Sequence, residues 1–246
     1  MARSPEFLAA ITAAPDDENL RLVYADWLEE RGDPLAAAIR MEAQAVQIMG
    51  GRRHVRGALD VEEHYEVCYT PEQSLQLQRI PFNATTLRRC KETHVLVAGY
   101  PFSLMDIFRK FFPSIYGWEL PWYWDRPFAC EHRVCIRWYL IRKDPLGNST
   151  SRQWNRQLAL LSANEGVPRA CELVHAGLLC NWPKANIFLP HFNRVRCSDR
   201  VSSSSHIVSN GRISAQSTLN ERDDVRSRHI GITSSWKPEE PGLRAQ

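Results

Sequence analysis

Apolar residues at helical spacing mark the first fifty positions of the chain. Ser4 and Pro5 suit the start of a helix, whereas Gly32 and the pair Gly50–Gly51 suit helix ends. Between these signals, apolar residues recur at the i, i+3, i+4, i+7 spacing of a buried stripe. The pattern predicts three helices. The second has Leu20, Val23, Tyr24, Trp27 and Leu28 on its buried stripe and Arg21, Asp26, Glu29 and Glu30 off it, and the third buries Leu35, Ile39, Val46 and Met49.

The next segment, residues 51–89, gives mixed signals and is interpreted as an irregular linker. Thr70-Pro71-Glu72 predicts one short helix within it. Residues 52–56 read Arg-Arg-His-Val-Arg, which is a short basic stretch. A solvated linker is the favoured interpretation of this stretch, and a site for an anionic partner is the alternative.

Residues 90–246 combine both kinds of pattern. Alternating apolar residues predict strands at His94–Ala98 and Arg133–Ile141, and helices are expected after Ser103, Thr150 and Pro168. Beyond residue 181 the pattern favours short strands, with a tail from about residue 200 that is expected to be flexible. The predicted fold class is therefore α+β, with a helical module (1–50), the linker (51–89) and a mixed domain with short antiparallel strands (90–246).

The opening segment resembles the repeat-companion domain, a short helical module found in bacterial proteins. The resemblance rests on Phe7-Leu8-Ala9-Ala10-Ile11, Pro15-Asp16-Asp17 and the run from Arg21-Leu22-Val23-Tyr24-Ala25-Asp26-Trp27-Leu28 through Glu29-Glu30-Arg31-Gly32-Asp33-Pro34. It implies a self-contained helical unit with Tyr24 and Trp27 in its core. It brings no catalytic residue with it.

The second half is similar to the C-terminal region of uncharacterised proteins that carry the same module. The similar pieces are residues 90–99, 138–143, 148–151 and 195–199. Residues 196–199 and 226–232 also resemble the ending of C-type-lectin-like domains, in which irregular hairpins display polar side chains. This second resemblance implies binding loops near the end of the chain; the alternative is a polar, disordered tail.

Composition narrows the functional classes. The 246 residues carry a formal net charge of +3 and no apolar run that approaches the length of a membrane span, so neither nucleic acid nor membrane is the expected partner. Seven cysteines without a dense framework favour reduced thiols and a cytoplasmic protein. The sequence suggests no cofactor.

Aromatic residues are concentrated in one short segment. Trp118, Trp122 and Trp124, with Arg126 beside them, could form a stacking platform for a sugar, a base or a peptide. The simpler interpretation is that these rings cover the core between a helix and a strand.

Cys130, His132 and Cys135 follow immediately and form a candidate metal cluster. Thiolate and imidazole are zinc ligands, but a structural site needs a fourth ligand and the chain has no paired C-x-x-C knuckle. Buried cysteines beside an ordinary histidine are the favoured interpretation.

These observations favour a non-catalytic protein that binds a ligand or another protein. The alternative is an enzyme of unrecognised type that uses Cys and His residues of the second half.

Overall fold

The computed structural model describes residues 3–111, 124–180, 195–200, 205–209, 219–223, 231–232 and 234–237. These residues form an α+β fold, as the sequence predicts. The helices are α1 (Pro5–Ala13), α2 (Glu18–Glu29), α3 (Leu35–Met49), α4 (Ala58–Tyr65), α5 (Pro71–Leu77), α6 (Ala84–Cys90), α7 (Leu104–Phe111), α8 (Pro127–Cys130), α9 (Trp154–Leu158) and α10 (Ala170–Cys180). The strands are β1 (Val55–Arg56), β2 (His94–Ala98), β3 (Trp138–Arg142), β4 (Glu165–Gly166), β5 (Val195–Arg200), β6 (Ser205–Ser209), β7 (Leu219–Asp223), β8 (Gly231–Ile232) and β9 (Ser235–Trp236).

The three N-terminal helices are present and have the predicted ends. The Ser4 side chain accepts a hydrogen bond from Phe7 N at the start of α1. Gly32 and Gly50 have φ values of +67° and +81°, the left-handed conformation that glycine adopts without steric cost. Local backbone chemistry therefore sets the boundaries of these helices.

The buried face of α2 differs from the predicted stripe. Tyr24 and Leu28 are buried, but the side chain of Val23 is 52% exposed. Trp27 is only partly buried, and the guanidinium of Arg31 lies 3.8 Å from its ring centroid. Arg21, expected off the stripe, is buried, because its guanidinium meets carboxylates of neighbouring helices.

Residues 51–89, interpreted from sequence as an irregular linker, contain β1 and the helices α4, α5 and α6. Thr70 caps α5 as predicted, through a hydrogen bond from Gln73 N. Helix α3 packs against α4, α5 and α6, so residue 50 does not coincide with a break in the core. Polar residues on α4 conceal its buried face in the sequence, since Glu62 pairs with the distant Arg3.

An ionic network joins α2, α3 and α4 within the helical region. The Arg21 guanidinium lies 2.8 Å from Asp60 Oδ1 and 3.6 Å from Glu42 Oε1. Arg52 pairs with Glu18 at 2.6 Å, with Asp60 at 3.5 Å and with Glu42. Burial alone would raise the pKa of Asp60, but Arg21 and Arg52 lower it to about 2. Every guanidinium in this network faces carboxylates.

Gly57 allows the network to close. Its N–H donates to Asp60 Oδ2 at 2.7 Å, and Ala58 N donates to Glu42 Oε2 at 3.1 Å. A Cβ on residue 57 would overlap the Glu42 carboxylate. A side chain at this position would therefore displace the Glu42 carboxylate from the network.

Two sheets complete the fold. The five-stranded sheet has the order β1-β2-β3-β9-β4, with β1 parallel to β2 and the other pairs antiparallel. The four-stranded sheet has the order β7-β6-β5-β8. Helix α10 contacts β5 and β6 as well as α4 and α7. It thus links the second sheet to the helical region.

Strand β2 matches its predicted limits, whereas β3 is shorter than the predicted strand. Residues 133–137 lie outside β3, because Tyr139 Oη accepts a hydrogen bond from Cys135 N and turns the backbone there. Helix α9 begins at Trp154 with Gln153 as its N-cap, later than the expected cap at Thr150.

The described residues beyond position 194 form β5 to β9, while most of the expected binding loops lie outside the described residues. The lectin-like ending stays a prediction.

None of the helices in the described ranges is long and apolar enough to cross a membrane.

Candidate functional site

The predicted aromatic platform is described only in part. Trp118 and Trp122 lie outside the described residues. Trp124 is described, and its side chain is 50% exposed. Arg126 is exposed beside it, with Nε 3.7 Å from Asp125 Oδ1. The described part of the segment therefore presents an aromatic ring and a guanidinium at the surface instead of covering the core.

Helix α8 holds the backbone of Trp124 in place. Pro127 occupies its first position, and Phe128 and Ala129 are buried against the core. The Cys130 thiol donates to Trp124 O at 3.2 Å. Trp124 is therefore tied to a fixed helix although its ring is exposed.

His132 is oriented by a carboxylate from the second sheet. Its Nδ1 lies 2.6 Å from Oδ1 of Asp199 on β5. The second oxygen of Asp199 accepts a hydrogen bond from Ala170 N at 2.6 Å, at the start of α10. If the imidazole is neutral, Nδ1 carries the proton and donates it to Asp199, and Nε2 keeps its lone pair.

Arg133 is held by residues around the start of α7. Its Nη1 donates to Pro101 O at 2.9 Å and to Asp106 Oδ2 at 2.7 Å. Asp106 also accepts hydrogen bonds from the backbone N–H and hydroxyl of Ser103, in a capping box. Burial opposes ionisation of Asp106, but these hydrogen bonds and the charge of Arg133 lower its pKa.

Arg137 has two partners. Its guanidinium carbon lies 4.7 Å from the Tyr139 ring centroid, and Nη2 lies 3.5 Å from Glu172 Oε1 on α10. Burial raises the pKa of Glu172 although Arg137 opposes the effect. The guanidinium is thus fixed between a ring and a carboxyl group.

The candidate metal cluster does not assemble. Cys130 contacts Trp124 O, His132 turns to Asp199, and Cys135 is exposed at the turn before β3. Within the described ranges, no group of three or more His, Cys, Asp or Glu residues is placed to bind a metal ion. The simpler interpretation, in which these cysteines are buried, is also wrong, since Cys130 is only partly buried and Cys135 is exposed.

We call the exposed side chains of this region the 124–137 surface. Three of its members are His132, Arg133 and Arg137, whose side chains are between 40% and 53% exposed. Each of them is held by a carboxyl group of a different element. Sequence patterns missed those partners, because they lie 27 to 67 residues away along the chain. The surface consists of Trp124, Arg126, His132, Arg133 and Arg137.

Comparison of the chain with family models, with curated proteins and with solved structures finds no match. The resemblance of the opening helices to the repeat-companion domain therefore stays a prediction.

Proposed function

We propose that the protein is a non-catalytic ligand-binding protein and that the 124–137 surface takes a neutral, hydroxyl-rich ligand of the carbohydrate class. The observation that carries this proposal is the fixed position of its exposed polar side chains. His132, Arg133 and Arg137 each contact a carboxyl group behind them. Side chains already held in one conformation lose less entropy when a ligand binds.

The charge balance of the surface favours hydroxyl groups over an anion. Arg126 lies beside Asp125, Arg133 beside Asp106, and the third guanidinium beside Glu172. A paired guanidinium and carboxylate offer donors and acceptors side by side, and a sugar hydroxyl can use both. The exposed ring of Trp124 adds an apolar face on which a sugar ring can stack.

An array of immobilised mono- and oligosaccharides tests this proposal, with calorimetric titration of the glycan that is retained best. We expect Trp124→Ala to weaken the affinity for that glycan by at least about tenfold, because the substitution removes the ring on which the sugar stacks. Leu75→Ala is the matched control, because Leu75 is a similarly exposed apolar residue on α5. Retention of no glycan, or equal affinity in the Trp124 variant, would contradict the proposal.

We also propose a cytoplasmic location and a bacterial repeat-companion identity for the N-terminal helices. All seven cysteines lie in described parts of the chain and none of them forms a disulfide, which suits a reducing compartment. The three capped helices support the family proposal, in which they serve as a docking or packing unit for a protein partner.

The contact between His132 and Asp199 favours a second candidate function, an enzyme in which His132 acts as a base. A carboxylate on Nδ1 leaves Nε2 able to accept a proton, and the nucleophile would be the thiol of Cys130 or Cys135. Iodoacetamide labelling tests it. One of these two thiols should react faster in the wild-type protein than in His132→Gln, and equal rates in both proteins exclude this candidate.

A further inference from the structure

The basic stretch at residues 52–56 is part of the fold instead of a solvated linker. Residues 52–54 form a single 3-10 turn that leads directly into β1, and Arg52 and His54 are buried. Arg52 enters the ionic network with α2, α3 and α4. His54 instead contacts both its neighbour Arg53 and Lys143, the residue that follows β3.

Three basic groups converge at this point. Arg53 Nε donates to His54 Nε2 at 2.9 Å, and Lys143 Nζ lies 2.7 Å from His54 Nδ1. The Lys143 backbone N–H is fixed by Thr93 O at 2.8 Å, where β2 begins beside the end of β3. The Lys143 ammonium nitrogen also lies 3.4 Å from the carbonyl oxygen of Glu92.

The hydrogen bonds determine which groups carry protons. A guanidinium can only donate, so the Nε2 atom of His54 must accept from Arg53 and carry no proton. The single proton of the neutral ring is then on Nδ1, where it faces Lys143 Nζ at 2.7 Å. Burial, with the charge of Lys143, lowers the pKa of His54 to about 4, and burial also lowers the pKa of Lys143. The unliganded cluster therefore places a neutral imidazole between a guanidinium and an amine whose pKa is lowered by burial.

This cluster lacks the carboxylates that accompany the buried arginines Arg21 and Arg52. Among the residues that the structure describes, no Asp or Glu oxygen lies within 4.0 Å of Arg53 or Lys143. Arg53 is exposed and Lys143 is 9% exposed, so the cluster begins at the surface and extends inward. Other titratable groups close enough to act on it electrostatically are Lys91, Glu92, Asp144 and Cys180.

We propose that Arg53, His54 and Lys143 form a binding site for a phosphate-type oxyanion, either inorganic phosphate or the terminal phosphate of a monoester. Basic groups gathered without a counterion are favourable once an anion supplies the missing charge. A phosphate offers several acceptor oxygens, which suit a guanidinium fork and an ammonium together. Binding breaks the contact between His54 and Lys143 and draws a proton onto the neutral imidazole.

The site is independent of the 124–137 surface, so its test does not depend on the proposed function. Isothermal titration of the full chain with inorganic phosphate is the measurement, repeated in two buffers of different ionisation enthalpy. We expect saturable binding in which at least one proton is taken up per phosphate. Sodium chloride at the same ionic strength should bring no heat, and a phosphomonoester that competes with phosphate would identify the monoester as the source.

Arg53→Gln removes the exposed guanidinium of the site. It should weaken the affinity for phosphate by about tenfold or more, as expected for a lost charge-assisted contact. Lys143→Met should abolish both binding and proton uptake. Arg79→Gln is the matched control, because Arg79 is equally exposed and lies outside the cluster. Unchanged affinity in the Arg53 variant, absence of binding, or binding without proton uptake would overturn the proposal.

Discussion

Two polar clusters begin at neighbouring residues of one short segment, yet they differ in charge balance. The cluster around Arg52 pairs two guanidiniums with three carboxylates. The cluster around His54 joins a guanidinium, an imidazole and an amine without a carboxylate in contact among the described residues. The first satisfies its charges internally and serves the fold. The second is completed only by a ligand, and the difference separates structural polar groups from a candidate site.

The largest expected effect comes from breaking the cluster around Arg52. Arg52→Met leaves Glu42, which is buried, and Glu18 without their shared cation, and should lower the free energy of unfolding by about 3–5 kcal/mol. Arg40→Met is the control: Arg40 pairs with Asp26 and Glu29 on the exposed surface, so its loss should be small. Urea unfolding followed by circular dichroism gives both values. Equal losses in the two variants would show that the buried network has no special role.

A smaller loss is expected where the backbone meets the same network. Gly57→Ala places a Cβ against the Glu42 carboxylate and should cost about 3 kcal/mol of unfolding free energy, at the upper end for overpacking. Gly147→Ala is the matched control, because a Cβ there meets nothing within 4 Å. The comparison is made by urea unfolding, and a tolerated Gly57 variant would mean that the Glu42 side chain can move.

The smallest expected effect is a pH dependence of stability due to His175, whose two ring nitrogens both have hydrogen-bond partners within the protein. His175 Nε2 donates to Ala98 O at 2.9 Å, Nδ1 accepts from Tyr65 Oη at 2.9 Å, and burial lowers the pKa of His175 to about 4. Below about pH 6.5 the histidine is protonated in the unfolded chain but stays neutral in the folded protein. The free energy of unfolding is therefore highest above about pH 6.5 and falls as the pH is lowered towards about 4.

Between pH 6.5 and 5 this contribution is about 2 kcal/mol, and His175→Gln should flatten the pH dependence of unfolding by that amount. Phosphate should leave the acid sensitivity due to His175 unchanged, since its hydrogen bonds are already complete. An identical pH dependence in wild type and variant would contradict the assignment of a neutral, buried His175.

Elements governed by local chemistry could be predicted from the sequence. The limits of β2 follow from its apolar run, and the helix ends at Gly32 and Gly50 follow from the need for positive φ. Ser4, Thr70 and Ser103 cap the expected helices. In each case the determining atoms lie within a few residues of one another.

Elements that depend on distant partners could not be predicted. Helical spacing alone placed Arg21 off the buried stripe, because Asp60 is 39 residues away. Helix α4 was missed for the same reason, since the carboxylate of its buried Glu62 is paired with the distant Arg3 and also accepts from Tyr69 N. Charged residues conceal a buried face whenever their counterions come from another part of the chain.

The candidate sites show the same division. Sequence composition identified Trp124, Arg126 and the basic stretch, which are conspicuous by residue type. It could not foresee that Asp199 would orient His132, or that Lys143 would complete the stretch 89 residues away. The residue types were visible in the sequence, whereas their convergence is a property of the fold.

Helix α3 has one further consequence. Nine of its 15 residues are buried, and it packs against helices from both sides of residue 50, while β1 continues the five-stranded sheet from the same region. The opening three helices are therefore not an independently folding unit. A fragment cut after Gly51 would expose one flank of α3 to water, and the remainder would expose the faces of α4, α5 and α6 that pack against it, so both pieces would tend to aggregate.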